Sequence, residues 1–191
     1  MTYTLFAGVN GSGKSTLYST GAIVDVGERI NIDDMARELN EQYTVFPKRA
    51  GISALHKIDV CINAKISFNQ ETTLSGRSAL RTIRRAKDAG FKVIMYYTYL
   101  NSPELAIQRI AARVRKGGHF IEDEIVRRRF QSSLENLRQA ISLCDEIYIF
   151  DNSTDAQLGA GYRFLCFIRN GRLREKVNDM PKPLLDYLGF A

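Results

Sequence analysis

The 191-residue chain is poor in the residues that staple, ligate or break structure: three cysteines, two histidines, four prolines and no tryptophan. Cys61, Cys144 and Cys166 are odd in number and far apart, so no disulfide framework is expected. Each lies in or beside an apolar run and reads as a reduced core thiol, which suits a cytoplasmic protein. His56 and His119 stand in no metal-ligand spacing with these cysteines. Four prolines and fourteen glycines are too few for a linker-rich or low-complexity chain. No uncharged apolar run approaches the length of a membrane-spanning helix. Met1 to Ala7 lacks a basic region followed by a long apolar stretch, so no signal peptide is expected.

The composition that is present, 45% hydrophobic and 25% charged, is that of a globular protein and excludes disorder and fibrous classes. The length fits a single domain over residues 1–191 with a core large enough to need no staples. A net charge of +6 suits phosphate-bearing ligands or nucleic acid without choosing between them. The cations concentrate at Arg77 to Lys92 and Arg109 to Arg129.

Strand and helix patterns alternate. Thr4 to Gly8, Arg29 to Ile32, Ser67 to Thr73, Phe91 to Tyr97 and Glu146 to Asp151 read as strands. Asp33 and Asp34 end the second strand and are positioned to cap a helix from Met35 to Asn40. Gln42 to Gly51 reads as loop. Ile52, Leu55, Ile58, Ile62 and Ile66 recur at helical steps and predict one apolar face. Further helices are predicted over Ser78 to Ala89, Ser102 to Lys116, Glu122 to Leu143 and beyond Pro181. Asn170-Gly171 predicts a hairpin over about 162–177. The expected fold is three-layer α/β, a mostly parallel sheet with helices on both faces. Ligands then bind at the carboxyl ends of the strands, where Gly8, Asp33 and Glu71 should meet.

Gly8-Val9-Asn10-Gly11-Ser12-Gly13-Lys14-Ser15 matches G-x-x-x-x-G-K-[ST], with a strand before it and a helix after. Its glycines let backbone amides converge on phosphate oxygens. Lys14 supplies a charge to the β- and γ-phosphates, and the Ser15 hydroxyl is a Mg²⁺ ligand. Gly8, Asn10, Gly11, Ser12, Gly13, Lys14, Ser15 and Thr16 are therefore the expected ATP-binding residues. No Asn-Lys-x-Asp appears, which excludes the common GTPases. Leu74-Ser75-Gly76-Arg77-Ser78 shares only three residues with the ABC signature. Ile147 to Asp151 is followed by Asn152 rather than the Glu of a motor. A small P-loop kinase with an arginine-bearing lid fits better.

Asp33 is the candidate general base, with helix capping as its competing role. Glu71, beside Thr72, is placed to bind sugar hydroxyls or a Mg²⁺-bound water, or simply to end a strand in solvent. Arg109, Arg113, Arg115 and Lys116 precede Gly117-Gly118-His119, and Arg127, Arg128 and Arg129 follow. Arginines on both sides of a glycine pair suggest a helical lid over about 103–130 that closes on the transferring phosphoryl. At roughly 100° per residue, Arg127 lies nearest the Val126/Phe130/Leu134 face, Arg128 points sideways and Arg129 points away. Arg109, Arg113, Arg127 and Arg128 are thus the expected catalytic arginines. His119 contacts substrate or serves as a loop residue. A nucleic-acid surface is the competing reading of the basic cluster.

Together the phosphate loop, Asn31-Ile32-Asp33, Glu71-Thr72-Thr73-Leu74, and Gly117-Gly118-His119 followed by Arg127-Arg128-Arg129-Phe130 resemble the zeta-toxin-like kinases. The resemblance covers about residues 3–152 and is nearest to a short stand-alone bacterial branch. It implies an ATP- and Mg²⁺-dependent kinase of a UDP-activated amino sugar, such as UDP-N-acetylglucosamine, acting at the sugar 3′-hydroxyl, with an antitoxin as partner. It further implies Asp33 as base and Glu71 in the sugar-nucleotide site, with Thr72 and His119 beside the substrate. Arg109 or Arg113 would be the first lid arginine, and Arg127 or Arg128 the second. The substrate-binding insertions of longer zeta toxins are missing. A polynucleotide or tRNA kinase is the first alternative, although the basic stretches carry little interleaved aromatic surface. A nucleotide-dependent interaction module is the second.

Overall fold

The buried run Tyr3 to Ala7 forms the middle strand of the molecule. A computed structural model describes residues 1–21, 23, 27–39, 48–154 and 161–190. In chain order the elements are β1 (Thr2–Ala7), α1 (Lys14–Ser19), β2 (Glu28–Ile30), α2 (Ile32–Glu38), α3 (Lys48–Asn63), β3 (Phe68–Thr72) and α4 (Arg77–Asp88). β4 (Lys92–Tyr99), α5 (Pro103–Val114), α6 (Asp123–Ala140), β5 (Glu146–Asp151), β6 (Arg163–Arg169), β7 (Arg172–Lys176) and α7 (Lys182–Leu188) follow.

The seven strands lie in the order β2-β3-β1-β4-β5-β6-β7. β2 to β5 and β1 run parallel, and the β6–β7 hairpin is added antiparallel to β5. β1 pairs with β3 on one side and β4 on the other; the connection leaving β1 runs to β2 on one side and that leaving β4 runs to β5 on the other, so the two diverge. That divergence opens a crevice beyond the carboxyl ends of β1 and β4, where a ligand can enter.

Alternation along the strands divides the sheet into two faces. Tyr3, Leu5, Val93, Met95, Ile147 and Ile149 point to one face and form the main core with α3, α4, α6 and α7. The other face carries a row of stacked rings, Phe6, Tyr96, Tyr148 and Phe167, one from each of four neighbouring strands. Tyr18 of α1 meets Phe6 edge-on there. Helices therefore lie on both faces: α3, α4, α6 and α7 on one, with Ile32 and Met35 of α2 against the same core, and α1 on the other. A smaller cluster, Val9, Leu100, Ala106, Ile110, Ile121 and Val126, joins α5 and the start of α6 to the phosphate loop.

Three local expectations are corrected. α2 starts at Ile32, because Asn31 is its N-cap: the Asn31 side chain accepts from the amides of Asp33 at 2.8 Å and Asp34 at 3.3 Å. Asn caps as well as Asp does, and the displaced carboxylates gain the positive first turn instead. Asn40, the expected end of this helix, lies outside the described residues. So do 42–47 of the expected loop, whereas 48–51 belong to α3. The third correction is the face of α3. Ala50, Ala54, Ile58, Cys61 and Ile62 are buried, while Ile52 (69%) and Leu55 (47%) are exposed. Alanines allow close approach to neighbouring elements, so the contact face follows small residues rather than the large ones. Ile66 lies past the helix end and is also exposed.

The hairpin turn is as expected: Asn170 and Gly171 both have positive φ (49° and 72°), as the tightest hairpins require. All three cysteines are free and buried.

Candidate active site

The phosphate loop leaves β1 at Gly8 and enters α1 at Lys14. At Gly8 (φ 138°) a Cβ would stand 2.4 Å from the Thr98 carbonyl oxygen, and at Gly13 (φ 97°) 2.5 Å from Asn152 Nδ2. Only glycine fits at either place. The loop is tied from outside. Ser12 Oγ and Thr98 Oγ1 are hydrogen-bonded at 2.6 Å. Asn152 Nδ2 donates to the Ser12 carbonyl at 2.8 Å, and the Tyr162 hydroxyl to that of Gly13 at 2.6 Å. The Ser12 amide closes the loop by donating to the Val9 carbonyl at 3.2 Å. With the Ser12 and Gly13 carbonyls held outward, the loop can turn its remaining amides to a phosphate.

Lys14 is buried, and its Nζ donates to the Val9 carbonyl at 2.9 Å. Burial lowers its pKa from the usual lysine value. Glu71 and Asp33 oppose that shift, and Arg113 and Arg129 add to it. The Lys14 ammonium thus lies in the combined field of two carboxylates and two guanidinium groups.

Glu71, near the end of β3, accepts from Ser15 Oγ at 2.8 Å and from Asn31 Nδ2 at 2.9 Å, with Arg29 Nη2 at 3.4 Å. Arg29 also stands 3.3 Å from Asp34 and 3.7 Å over the Tyr18 ring. Asp34 is thereby turned to Arg29 and Arg37. Asp33, one residue earlier, lines a cavity of about 400 Å³ together with Lys14, Glu71, Thr72, Asn10 and Arg129.

The arginines divide differently from the helical-wheel expectation. Arg113 lies within electrostatic reach of Lys14, and its Nη2 donates to the His119 carbonyl at 3.1 Å. Arg109 packs beside Gly11 and donates to the Thr154 carbonyl at 3.1 Å. Arg127 points outward to Glu104 at 3.5 Å, with about half its side chain exposed, and Arg128 is exposed. Arg129, expected to point away, is the α6 arginine in the cavity. The buried contacts of α6 span two clusters, so its apolar face does not mark the direction of the site. His119 is half-buried beside Arg113 and is not among the residues lining the cavity.

Gly117 (φ 84°) and Gly118 close α5. Their amides donate to the carbonyls of Val114 at 2.9 Å and Arg113 at 3.0 Å. This is the reciprocal bond pair of a helix ended by a left-handed residue. The glycine pair is thus a helix stop that holds the Arg113 turn in place.

Residues 2–159 match the profile of the zeta toxin family. The chain belongs to that family of P-loop kinases. An uncharacterized protein of Haemophilus influenzae is 39% identical over 131 residues, which make up 65% of this chain and 89% of that protein. Among solved structures, one from the PezAT chromosomal toxin–antitoxin system of Streptococcus pneumoniae superposes with a TM-score of 0.58 at 20% identity, covering 78% of this chain and 66% of that one. The AvrRxo1-ORF1:-ORF2 complex with ATP gives 0.65 at 14% identity, covering 91% and 60%. The chain therefore spans 66% of the first of those chains and 60% of the second, and the likeness at these identities is one of fold.

Within this zeta toxin-family site the donor set suits Mg²⁺. Ser15 Oγ and Glu71 Oε1 are hard oxygens 2.8 Å apart at the mouth of the phosphate loop. Mg²⁺ typically takes one or two protein oxygens and completes its shell with water and phosphate. Asn31, Arg29, Asn152 and Tyr162 were not singled out as site residues from sequence. Each acts through a partner 40 to 149 positions away, and no local pattern marks such a pairing. The asparagine beside Ile32-Asp33 and the Asn152 that replaces a motor's Glu were the available signals.

Proposed function

We propose that the protein transfers the γ-phosphoryl group of ATP to a hydroxyl of a small molecule seated against Asp33, with a UDP-activated amino sugar as the acceptor class. The observation that carries this reading is that Lys14 and Asp33 line the same cavity. A phosphate-binding cation and a carboxylate in one space are what transfer to a hydroxyl needs. The loop amides and Lys14 bind the β- and γ-phosphates. Mg²⁺, held by Ser15 and Glu71, would supply further positive charge at those oxygens. Asp33 accepts the proton of the acceptor hydroxyl as its oxygen bonds to γ-phosphorus. The bond to the bridging oxygen breaks, and ADP leaves with that electron pair. Arg109 and Arg113, on the helix beside the loop, supply charge to the phosphoryl oxygens. Thr72 and the other hydroxyl side chains of the cavity hold the acceptor.

The sugar-nucleotide class rests on family membership, and so does an antitoxin as protein partner in the cytoplasm. No helix among the described residues is long and apolar enough to cross a membrane. The test is ATP turnover against a panel of UDP-sugars, nucleosides and RNA 5′-hydroxyl ends, with mass spectrometry of the products. A phosphorylated UDP-amino sugar is the expected product. Phosphate on RNA ends alone would move a polynucleotide kinase to first place.

A further inference from the structure

Arg129 lies where the helical wheel of α6 did not put it. Its Nη1 donates to Asn10 Oδ1 at 2.9 Å, joining α6 to the phosphate loop across 119 residues. Its guanidinium is half-buried, lines the cavity with Lys14 and Asp33, and is within electrostatic reach of both.

The anchoring of α6 distinguishes this arginine from those on α5. Leu134, Leu137 and Ala140 sit in the main core, Val126 sits in the smaller cluster, and Phe130 packs against both. Arg129 is therefore on a stretch of helix held from both ends. α5 buries Ala106 and Ile110 in the smaller cluster alone. An arginine on α6 needs no closure of a lid to reach the phosphate loop.

We infer that Arg129 is a catalytic arginine set in place before substrate arrives, whose guanidinium leaves the Asn10 carboxamide for the non-bridging oxygens of the transferring phosphoryl group. This rests on the phosphotransfer reading. The exchange is favourable because Asn10 Oδ1 is a neutral acceptor, whereas the phosphoryl oxygens are anionic and can take both arms of the guanidinium. Asn10 is then a resting partner that keeps the half-buried guanidinium aimed at the loop. Arg109 and Arg113 act beside it.

The test is calorimetric binding of Mg·ADP, with and without aluminium fluoride, a planar mimic of the transferring phosphoryl group. Wild type, Arg129→Ala, Arg129→Lys and Asn10→Ala are compared, with kcat and KM measured in parallel. Wild type should bind the fluoride complex far more tightly than ADP alone. Arg129→Ala should lose about 10²–10³ of that gain, leave ADP affinity within about threefold and lower kcat by a similar factor at nearly constant KM for ATP. Arg129→Lys, which keeps charge and helix packing, should recover part of the gain. Asn10→Ala, which removes a phosphate-loop side chain, should change the affinities for ADP and for the fluoride complex by a similar factor and so keep the gain.

The inference is overturned if Arg129→Ala keeps the gain, or if it weakens both complexes equally. It is also overturned if the loss follows Arg127→Ala or Arg128→Ala instead, or if wild type shows no gain. A wild type that shows the gain but phosphorylates no acceptor would overturn the acceptor reading and leave the Arg129 inference standing.

Discussion

Adjacent residues of like chemistry are given opposite tasks by their surroundings. Asp33 faces the cavity and Asp34 faces Arg29 and Arg37. Asp33→Asn should therefore leave ATP affinity nearly unchanged and lower transfer to the acceptor by roughly 10²–10⁴. Asp34→Asn should do much less, because it loosens a surface ion pair of small worth. Single-turnover assays with matched ATP titrations check both, and exchanged phenotypes would make Asp34 the base. Lys14 gives a second prediction. Its ammonium is buried against the loop rather than against the apolar core, so Lys14→Ala should melt near wild type while turnover falls by about 10² or more. Near-normal turnover in a folded Lys14→Ala protein would remove the phosphate-binding role.

The helices owe their limits to single terminal residues. Ser102 caps α5 by accepting from the Leu105 amide at 3.3 Å, with Pro103 at its first position. Gly117 ends the same helix in the left-handed region at φ 84°. A side chain there is strained, and Asn tolerates that conformation better than other non-glycine residues. Gly117→Ala should lower stability by about 1 kcal/mol in urea titration, with Gly117→Asn losing less. Because this turn carries Arg113 and its contact to the His119 carbonyl, the alanine variant should also lower kcat. Unchanged stability would mean that the glycine pair is a flexible joint rather than a helix stop. The start of α2 and the buried face of α3 also turn on particular residues: one asparagine caps the first, and alanines join the isoleucines on the buried face of the second.

Across the whole molecule, one continuous core ties the sheet to α3, α4, α6 and α7, and the free thiols report on it. Burial pushes the Cys144 and Cys166 thiols up to about 12, with Asp145 adding to the effect at Cys144. Burial also raises Cys61. A thiol with a raised pKa stays protonated at pH values below it, so the nucleophilic thiolate is scarce around neutrality. The native protein should accordingly resist iodoacetamide at pH 8, and all three sites should react once urea unfolds it. Mass spectrometry of the alkylated chain reads this directly. Rapid labelling of Cys144 or Cys166 under native conditions would show that the sheet–helix core opens far more easily than its packing suggests.

Elements and motifs that depend on near neighbours could be read from the chain alone. The phosphate loop, the strand at Glu146 to Asp151, the Asn-Gly hairpin and the Ser102-Pro103 helix start are set by steric and hydrogen-bonding preferences within a few residues. Family membership followed from the order of such motifs. What required the tertiary structure was every pairing between distant segments. The α6 arginine that enters the cavity is Arg129 because two separate clusters hold that helix, so its own apolar periodicity does not point toward the site. Glu71 meets Ser15 because β3 lies beside β1, an adjacency fixed by sheet order rather than by any local preference. Asn152 and Tyr162 reach the phosphate loop because β4, β5 and β6 continue the same sheet beyond β1, with the end of β5 beside the start of β6. Side-chain direction at a helix surface is decided by what packs against the helix, and a sequence window contains none of those atoms.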